Sequence, residues 1–434
     1  MRPKLKLLLL LVLPLFLYGC TTGPTSTPTP SPTTVAEQVV LHWWGVFETI
    51  EDVQPLIDKY KSENSNIKDI QYVQKPLNGD ESAYRTMIDS FIADKEQTPD
   101  IFLIQNTWAG KYSSLITPAP NNIIDEAYFA DFYNVVKKDF YRSGTIALPQ
   151  YMDAIAIIYD ENKLIAEGFS KPSAQWSDFK VMAQRLTKKG TGNTLSQAGF
   201  SAGYYENVQF RFDLINLLML VNAVKMTDIQ ELSATFYTPE NMEDTERAIE
   251  FYKSLGTTAW SKEMKKDIAE FLEGRLAMYA APSWRLIDIL NYKKQFNLNL
   301  TVAVAEVPQL SNYSAYWASY WGYTVSKNSP NSTESWKFIK FLNEKASLEL
   351  LDKTVKENGR PIGIIFPRKS MNIQLANDKY LGPYIAALDK AETWYMYDGF
   401  KMKNAFNSVL SKLSGFDGLS SLQSTATAIM KGTQ

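Results

Sequence analysis

VVLHWWGVFETIEDVQPLIDKYKS, residues 39–62, decides how the folded part of the chain is read. Val39 to Trp44 is an apolar run of strand length that stops at Gly45. Ile50, Val53, Leu56, Ile57 and Tyr60 then recur at spacings of three, four and seven, which predicts an amphipathic helix over Ile50 to Ser62, ended by Asn64, Ser65 and Asn66. Downstream the order repeats. An extended segment, Ile70 to Val73, precedes a second helical pattern, Ala83 to Ala93 through Tyr84, Met87, Ile88 and Phe91. PDIFLI, residues 99–104, is a short buried strand, and another apolar segment, Ala154 to Tyr159, follows the Pro149 to Asp153 turn. Strand and helix in alternation argue for an α/β chain whose sheet is largely parallel and covered by helices.

Beyond residue 160 helices dominate: Trp176 to Thr187, with Ser177 as its cap, Phe210 to Ala223, Glu240 to Leu255, and Lys262 to Leu272. Short strands are expected at Leu276 to Tyr279, Leu300 to Val304 and Tyr320 to Val325, and the tail from Pro383 reads as helices. Trp336, Phe338 and Phe341, at helical spacing, read as core, and so does His42, as a hydrogen-bonded histidine inside the first strand. No repeat of fixed period is visible, which excludes solenoids and propellers.

Working back to the start, Arg2, Lys4 and Lys6 precede an apolar run of eleven residues, Leu7 to Leu17, too short to span a bilayer and ordered like an export signal. It closes on LYGC, residues 17–20, which resembles a bacterial lipobox. Residues 1–19 are then a signal peptide, and Cys20 becomes a lipidated N-terminus. Residues 21–36 hold thirteen Thr, Pro or Ser in sixteen positions and read as a tether, since so few apolar groups cannot offset the entropy of ordering.

Composition removes several function classes. The 434 residues carry 45 basic and 47 acidic side chains, and cleavage of the signal leaves 42 against 47, so no excess positive charge exists to neutralise a polyphosphate. Nucleic acid is not an expected partner. One cysteine and one histidine, Cys20 and His42, exclude an intramolecular disulfide, a His/Cys metal cluster and a Cys-His nucleophile. No metal, cofactor or catalytic residue is expected.

Five segments in order carry a resemblance. VVLHWWGVFE (39–48), TPDIFLIQNTWAGKYSSLITP (98–118), LPQYMDAIAIIYDENKL (148–164), FLEGRLAMYAAPSW (271–284) and YWGYTVSKNSPNSTESWKFIKFL (320–342) resemble the lipoprotein solute-binding proteins of ABC importers, family 1, the maltose-binding type. The resemblance implies a periplasmic-binding-protein type II fold, with two lobes whose mixed sheets are covered by helices and joined by crossing hinge strands. It divides the chain into 37–152 with 324–365, and 153–323 with 366–434. It also implies a monomer outside the cytoplasmic membrane, anchored in the lipid bilayer through Cys20, that closes on a carbohydrate and delivers it to a membrane permease. Lys262, Lys265 and Lys266 read as a solvated helix face or as part of a surface that touches a transporter.

In open α/β sheets ligands sit outside the carboxyl ends of strands. Trp43, Trp44 and Glu48 belong to the end of the first strand, and Asn106 with Trp108 follows PDIFLI. Gln150, Tyr151 and Asp153 lie at the first crossover, Trp284 and Arg285 after the 271–282 segment, and Tyr320 with Trp321 at the return crossover. The resemblance adds Trp394. Aromatic faces beside carboxylates and amides suit a sugar. Trp43 and Trp44 face opposite sides of one strand, so at least one belongs to the core. Two other readings stay open: a binding protein for a peptide, polyamine or ferric iron, and a glycoside hydrolase using Glu48 and Asp153.

Overall fold

The computed structural model describes residues 38–433 apart from 78–80, 95–97, 311–312 and 413; the expected signal peptide, Cys20 and the tether lie outside the described residues. The strands of the two main sheets, in chain order, are β1 (Val39–Gly45), β2 (Ile67–Gln74), β3 (Ile101–Gln105), β4 (Ala156–Asp160), β5 (Lys188–Lys189), β6 (Leu195–Phe200), β7 (Leu276–Ala281), β8 (Val302–Ala305) and β9 (Trp321–Val325). They form two main sheets, ordered β9-β3-β1-β2 and β8-β4-β7-β6-β5. In the first, β1 runs parallel to β2 and β3, while β9 returns antiparallel to β3. In the second, β6 and β7 are parallel and the remaining pairings antiparallel. The sheets are therefore mixed, as the crossover strand requires.

The main helices are α1 (Ile50–Glu63), α2 (Glu81–Ala93), α3 (Asn134–Phe140), α4 (Trp176–Leu186), α5 (Arg211–Val221), α6 (Met242–Ala259), α7 (Ser283–Phe296), α8 (Ser332–Leu342), α9 (Lys345–Glu357), α10 (Gly399–Leu410) and α11 (Leu419–Met430). α1 begins at a capping box in which Thr49 Oγ1 accepts from the Asp52 amide and Asp52 accepts from the Thr49 amide. It buries Val53, Leu56, Ile57 and Tyr60, whereas Ile50, in its first turn, is 40% exposed.

Three expectations are corrected. His42 is not a core residue: its side chain is 55% exposed, and its ring Nδ1 lies 3.3 Å from Asp100 Oδ2. Ser177 does not cap α4, which starts one residue earlier because buried Trp176 packs on Phe179 and Phe251. Lys262, Lys265 and Lys266 precede a short helix, Asp267–Leu272, instead of lying on it. Asp267 is drawn inward to accept from the Gln209 amide at 2.7 Å, and that contact sets where the helix starts.

Two antiparallel stretches, 148–155 and 317–323, carry the chain between the sheets. Leu148 pairs with Tyr323 and Ala154 with Ala318, and the Ser319 amide donates to the Asp153 carbonyl at 3.2 Å. A third crossing lies beside them, where the Met152 amide donates to Ile365 O at 2.8 Å. Hydrogen-bonded crossings of this kind let two layers rotate about a shared axis without breaking either sheet.

Candidate functional site

Because β1 and β3 are parallel and β9 antiparallel, Gly45, Gln105 and Trp321 lie at one edge of the first sheet. The residues leaving that edge build the site. Tyr72 pins the backbone after β1 by donating its hydroxyl to Glu48 O at 2.6 Å. The Phe47 ring then sits 5.8 Å from both Tyr151 and Trp321, edge on to each, and the Arg360 guanidinium lies 5.8 Å from the Tyr151 ring centre. Trp321 and Tyr151 are half-buried.

Glu48 is 1% exposed, and neither carboxylate oxygen has a hydrogen bond of ordinary geometry among the described residues. Burial pushes its pKa up to about 7; the Arg360 charge and the Tyr151 hydroxyl oppose this only in part. Gln150, next to Tyr151, is also buried, with both amide atoms unpartnered among the described residues. Buried polar atoms left open are costly, so their concentration beside an aromatic floor marks a place where something else must bond.

The second sheet offers a complementary edge. Trp284 stands at the start of α7, 37% exposed, with the Arg285 guanidinium 4.5 Å over its ring and Phe210 edge-on at 5.6 Å. Gln209 holds Arg285 from the other side by accepting from Nη2 at 2.7 Å. Asp153 ties this edge to the crossing strand. Its Oδ1 accepts from the Ala154 and Ser283 amides, both at 2.9 Å, and its Oδ2 accepts from Ser283 Oγ at 2.8 Å and the Trp284 amide at 3.3 Å.

Of the side chains expected from sequence, Glu48, Gln150, Tyr151 and Trp321 come together, and Trp284 with Arg285 presents an open face. The others do not. Trp43 is fully buried among Tyr72, Tyr323 and Phe338, and Trp44 packs on Phe91 beneath the Lys75 ammonium, because helices cover the sheet on both of their sides. Trp108 lies fully buried behind Trp321 at 4.8 Å. Trp394 is anchored inward, its Nε1 donating to Asn216 Oδ1 at 2.6 Å.

Asn106 and Tyr320 are spent on Asp139, which accepts from Asn106 Nδ2 at 2.9 Å and the Tyr320 hydroxyl at 2.7 Å. Asp153 is a helix cap, with four donors on its two oxygens, and burial raises its pKa to about 6. Sequence reasoning missed Phe47, Gln209, Phe210 and Arg360. Phe47 was within reach, one position before Glu48 in the same loop; Arg360 stands in a segment with no periodic or motif signal.

The family model described as bacterial extracellular solute-binding protein matches residues 55–381. Among solved structures, the chain is similar to the sugar-binding protein MalE from Xanthomonas citri, at 17% identity and TM-score 0.70, over 91% of this chain and 98% of that one. A solute-binding protein of an ABC transporter from Thermotoga lettingae bound with α-D-tagatose matches at 15% identity and TM-score 0.70, over 90% and 99%. The cyclic α-maltosyl-1,6-maltose binding protein from Arthrobacter globiformis matches at 16% identity and TM-score 0.70, over 91% and 100%. At such identities the likeness establishes the two-lobed fold.

Proposed function

Because the chain belongs to the bacterial extracellular solute-binding proteins, we propose that it captures a mono- or oligosaccharide between its two lobes and delivers it to an ABC permease in the membrane. The observation that carries the sugar reading is the buried Glu48 carboxylate, with no hydrogen bond of ordinary geometry among the described residues, beside Phe47, Tyr151 and Trp321, with Trp284 exposed on the other sheet's edge. Sugar C–H faces stack on such rings while hydroxyls seek a fixed acceptor. The bound sugars named for structural relatives agree with that chemistry. The lobes are proposed to divide as 37–152 with 324–365 and 153–323 with 366–434.

Binding without turnover is part of the same proposal. Hydrolysis of a glycoside needs two available carboxyl groups, and Asp153, the natural partner of Glu48, is committed to capping α7.

Trp284→Ala should weaken sugar binding tenfold or more, since stacking is worth about 0.5–1.5 kcal/mol beyond buried area and tenfold corresponds to about 1.4 kcal/mol. Calorimetry on a broad sugar panel, with peptides, polyamines and ferric ion alongside, checks both site and class. Full affinity in the variant would remove Trp284 from the site. Tight binding of a non-sugar with no sugar bound would replace the ligand class.

Anchoring through an acylated Cys20 is proposed from the sequence that precedes the folded body. Mass spectrometry of membrane fractions should find a chain starting at diacylglyceryl-Cys20, and Cys20→Ser should leave it unprocessed or released. An intact chain with unmodified Cys20 would rule the anchor out.

A further inference from the structure

Resting on the sugar reading, we infer that the ligand occupies only the β1 side of the crevice and spans one or two pyranose rings, because residues 393–400 of the chain itself fill the β3 side. The two sides differ in how their polar groups are used. On the β1 side Glu48 is buried with no hydrogen bond of ordinary geometry among the described residues, only the Tyr151 hydroxyl and the Arg360 charge acting on its carboxylate, and both Gln150 amide atoms are buried and unpartnered among the described residues. On the β3 side the carboxylates, Asn106 and Tyr320 are already paired within the chain, and the one open polar atom there among the described residues, Trp108 Nε1, lies fully buried beneath the surface. Asp139 accepts from Asn106, from Tyr320 and from Thr393 Oγ1, the last at 2.6 Å, and Lys138 Nζ donates to Thr393 O at 2.6 Å. Asp398 receives both terminal nitrogens of Arg85, Nη1 to Oδ1 at 2.6 Å, and the Lys111 amide donates to Tyr397 O at 2.8 Å.

Space decides the matter as firmly as pairing. A ring lying between two surfaces needs about 3.5–4 Å of contact distance on each side, hence a slot of about 7 Å. Here backbone meets backbone: a Cβ on Gly110 would stand 2.5 Å from Tyr397 Cα, and one on Gly399 would run into Thr107 Oγ1. Tyr397 is held at a φ of 58°, a conformation costly for a bulky side chain, which persists only where surrounding contacts over-determine it. Trp108 and Arg85 close the floor beneath, the guanidinium 5.9 Å from the indole centre and 4.9 Å from the Phe400 ring. A third ring running on from Glu48 toward the residues that follow β3 has no slot to enter. It would leave the site into solvent and add little.

The test is calorimetric titration of the full mature chain with gluco-, manno- and galacto-configured ladders of one to four rings. The expected result is that the best ladder reaches its plateau at one or two rings and that a third ring changes affinity less than threefold. Glu48→Gln should cost tenfold or more, whereas Asn106→Ser, measured well below its own melting point, should stay within twofold. A tenfold gain from the third or fourth ring, or a tenfold loss in Asn106→Ser, overturns the size assignment while leaving sugar binding intact. Silence of every ladder, with a peptide, polyamine or ferric ion bound in their place, overturns the sugar reading and this inference together.

Discussion

Arg85→Met should cost about 3–5 kcal/mol of stability in chemical denaturation, the usual penalty for leaving one member of a buried ion pair alone. Arg85 and Asp398 side chains are 9% and 4% exposed, and the pair is bidentate, joining α2 to the residue that caps α10. Removing the cation strands a carboxylate that still accepts from the Lys401 amide at 3.1 Å. Adding Asp398→Asn to Arg85→Met should recover much of the loss, because the asparagine can still cap the helix but carries no charge. A single-variant loss under about 1 kcal/mol would mean that Asp398 finds water or another donor, and that the pair contributes little beyond geometry.

Glu48→Gln should remove a pH dependence of comparable size. The carboxyl has a pKa of about 7 in the folded protein against an ordinary value of 4.5, so between these limits the folded form holds a proton that the unfolded chain has lost. Stability therefore falls as pH rises through that window and levels off above it, by about 3 kcal/mol for this group. Arg360, Tyr151, Asp52, Tyr72 and Tyr323 are the charged or titratable groups that face it, and none is altered by the substitution. Asp153 and Asp267, each raised by burial to about 6, add slopes of the same sign, but they act equally in both proteins and cancel in the difference. Denaturation of the two proteins at pH 5, 6, 7 and 8 measures it. Parallel curves would mean that Glu48 is ionised in the folded state at every pH tested.

The layers of the fold were legible because apolar periodicity reports burial directly. The 39–62 stretch became β1 and α1 within a residue at each end, and PDIFLI became β3. The site was legible only where position along a strand was enough. Glu48 and Trp284 stand three residues past the ends of β1 and β7, Trp321 opens β9, and Tyr151 lies in the crossover before β4, positions that topology alone makes suspects. Aromatic character could not separate Trp284, which is exposed, from Trp43, Trp108 or Trp394, which are buried, because an indole that packs a core and one that faces solvent have the same composition. Asp153 shows the other limit. Its carboxylate caps a helix that begins 130 positions later, and no local pattern carries such a pairing. Arg360 was missed for the same reason, its neighbours Glu48 and Tyr151 coming from distant segments.

The return strand β9 has a consequence for how the chain is made. It closes the β3 edge of the first sheet, and Gln105 Nε2 reaches Ser319 Oγ 214 positions further on. Until the ribosome or the export machinery has delivered residue 325, β3 presents an unpaired edge along the apolar run Ile101 to Ile104. Such edges recruit strands from other molecules, and pairing across so long a loop is slow. A product that stops before Trp321 keeps β1, β2 and β3 but not the strand that shields them, so premature termination yields an aggregation hazard in place of a working half.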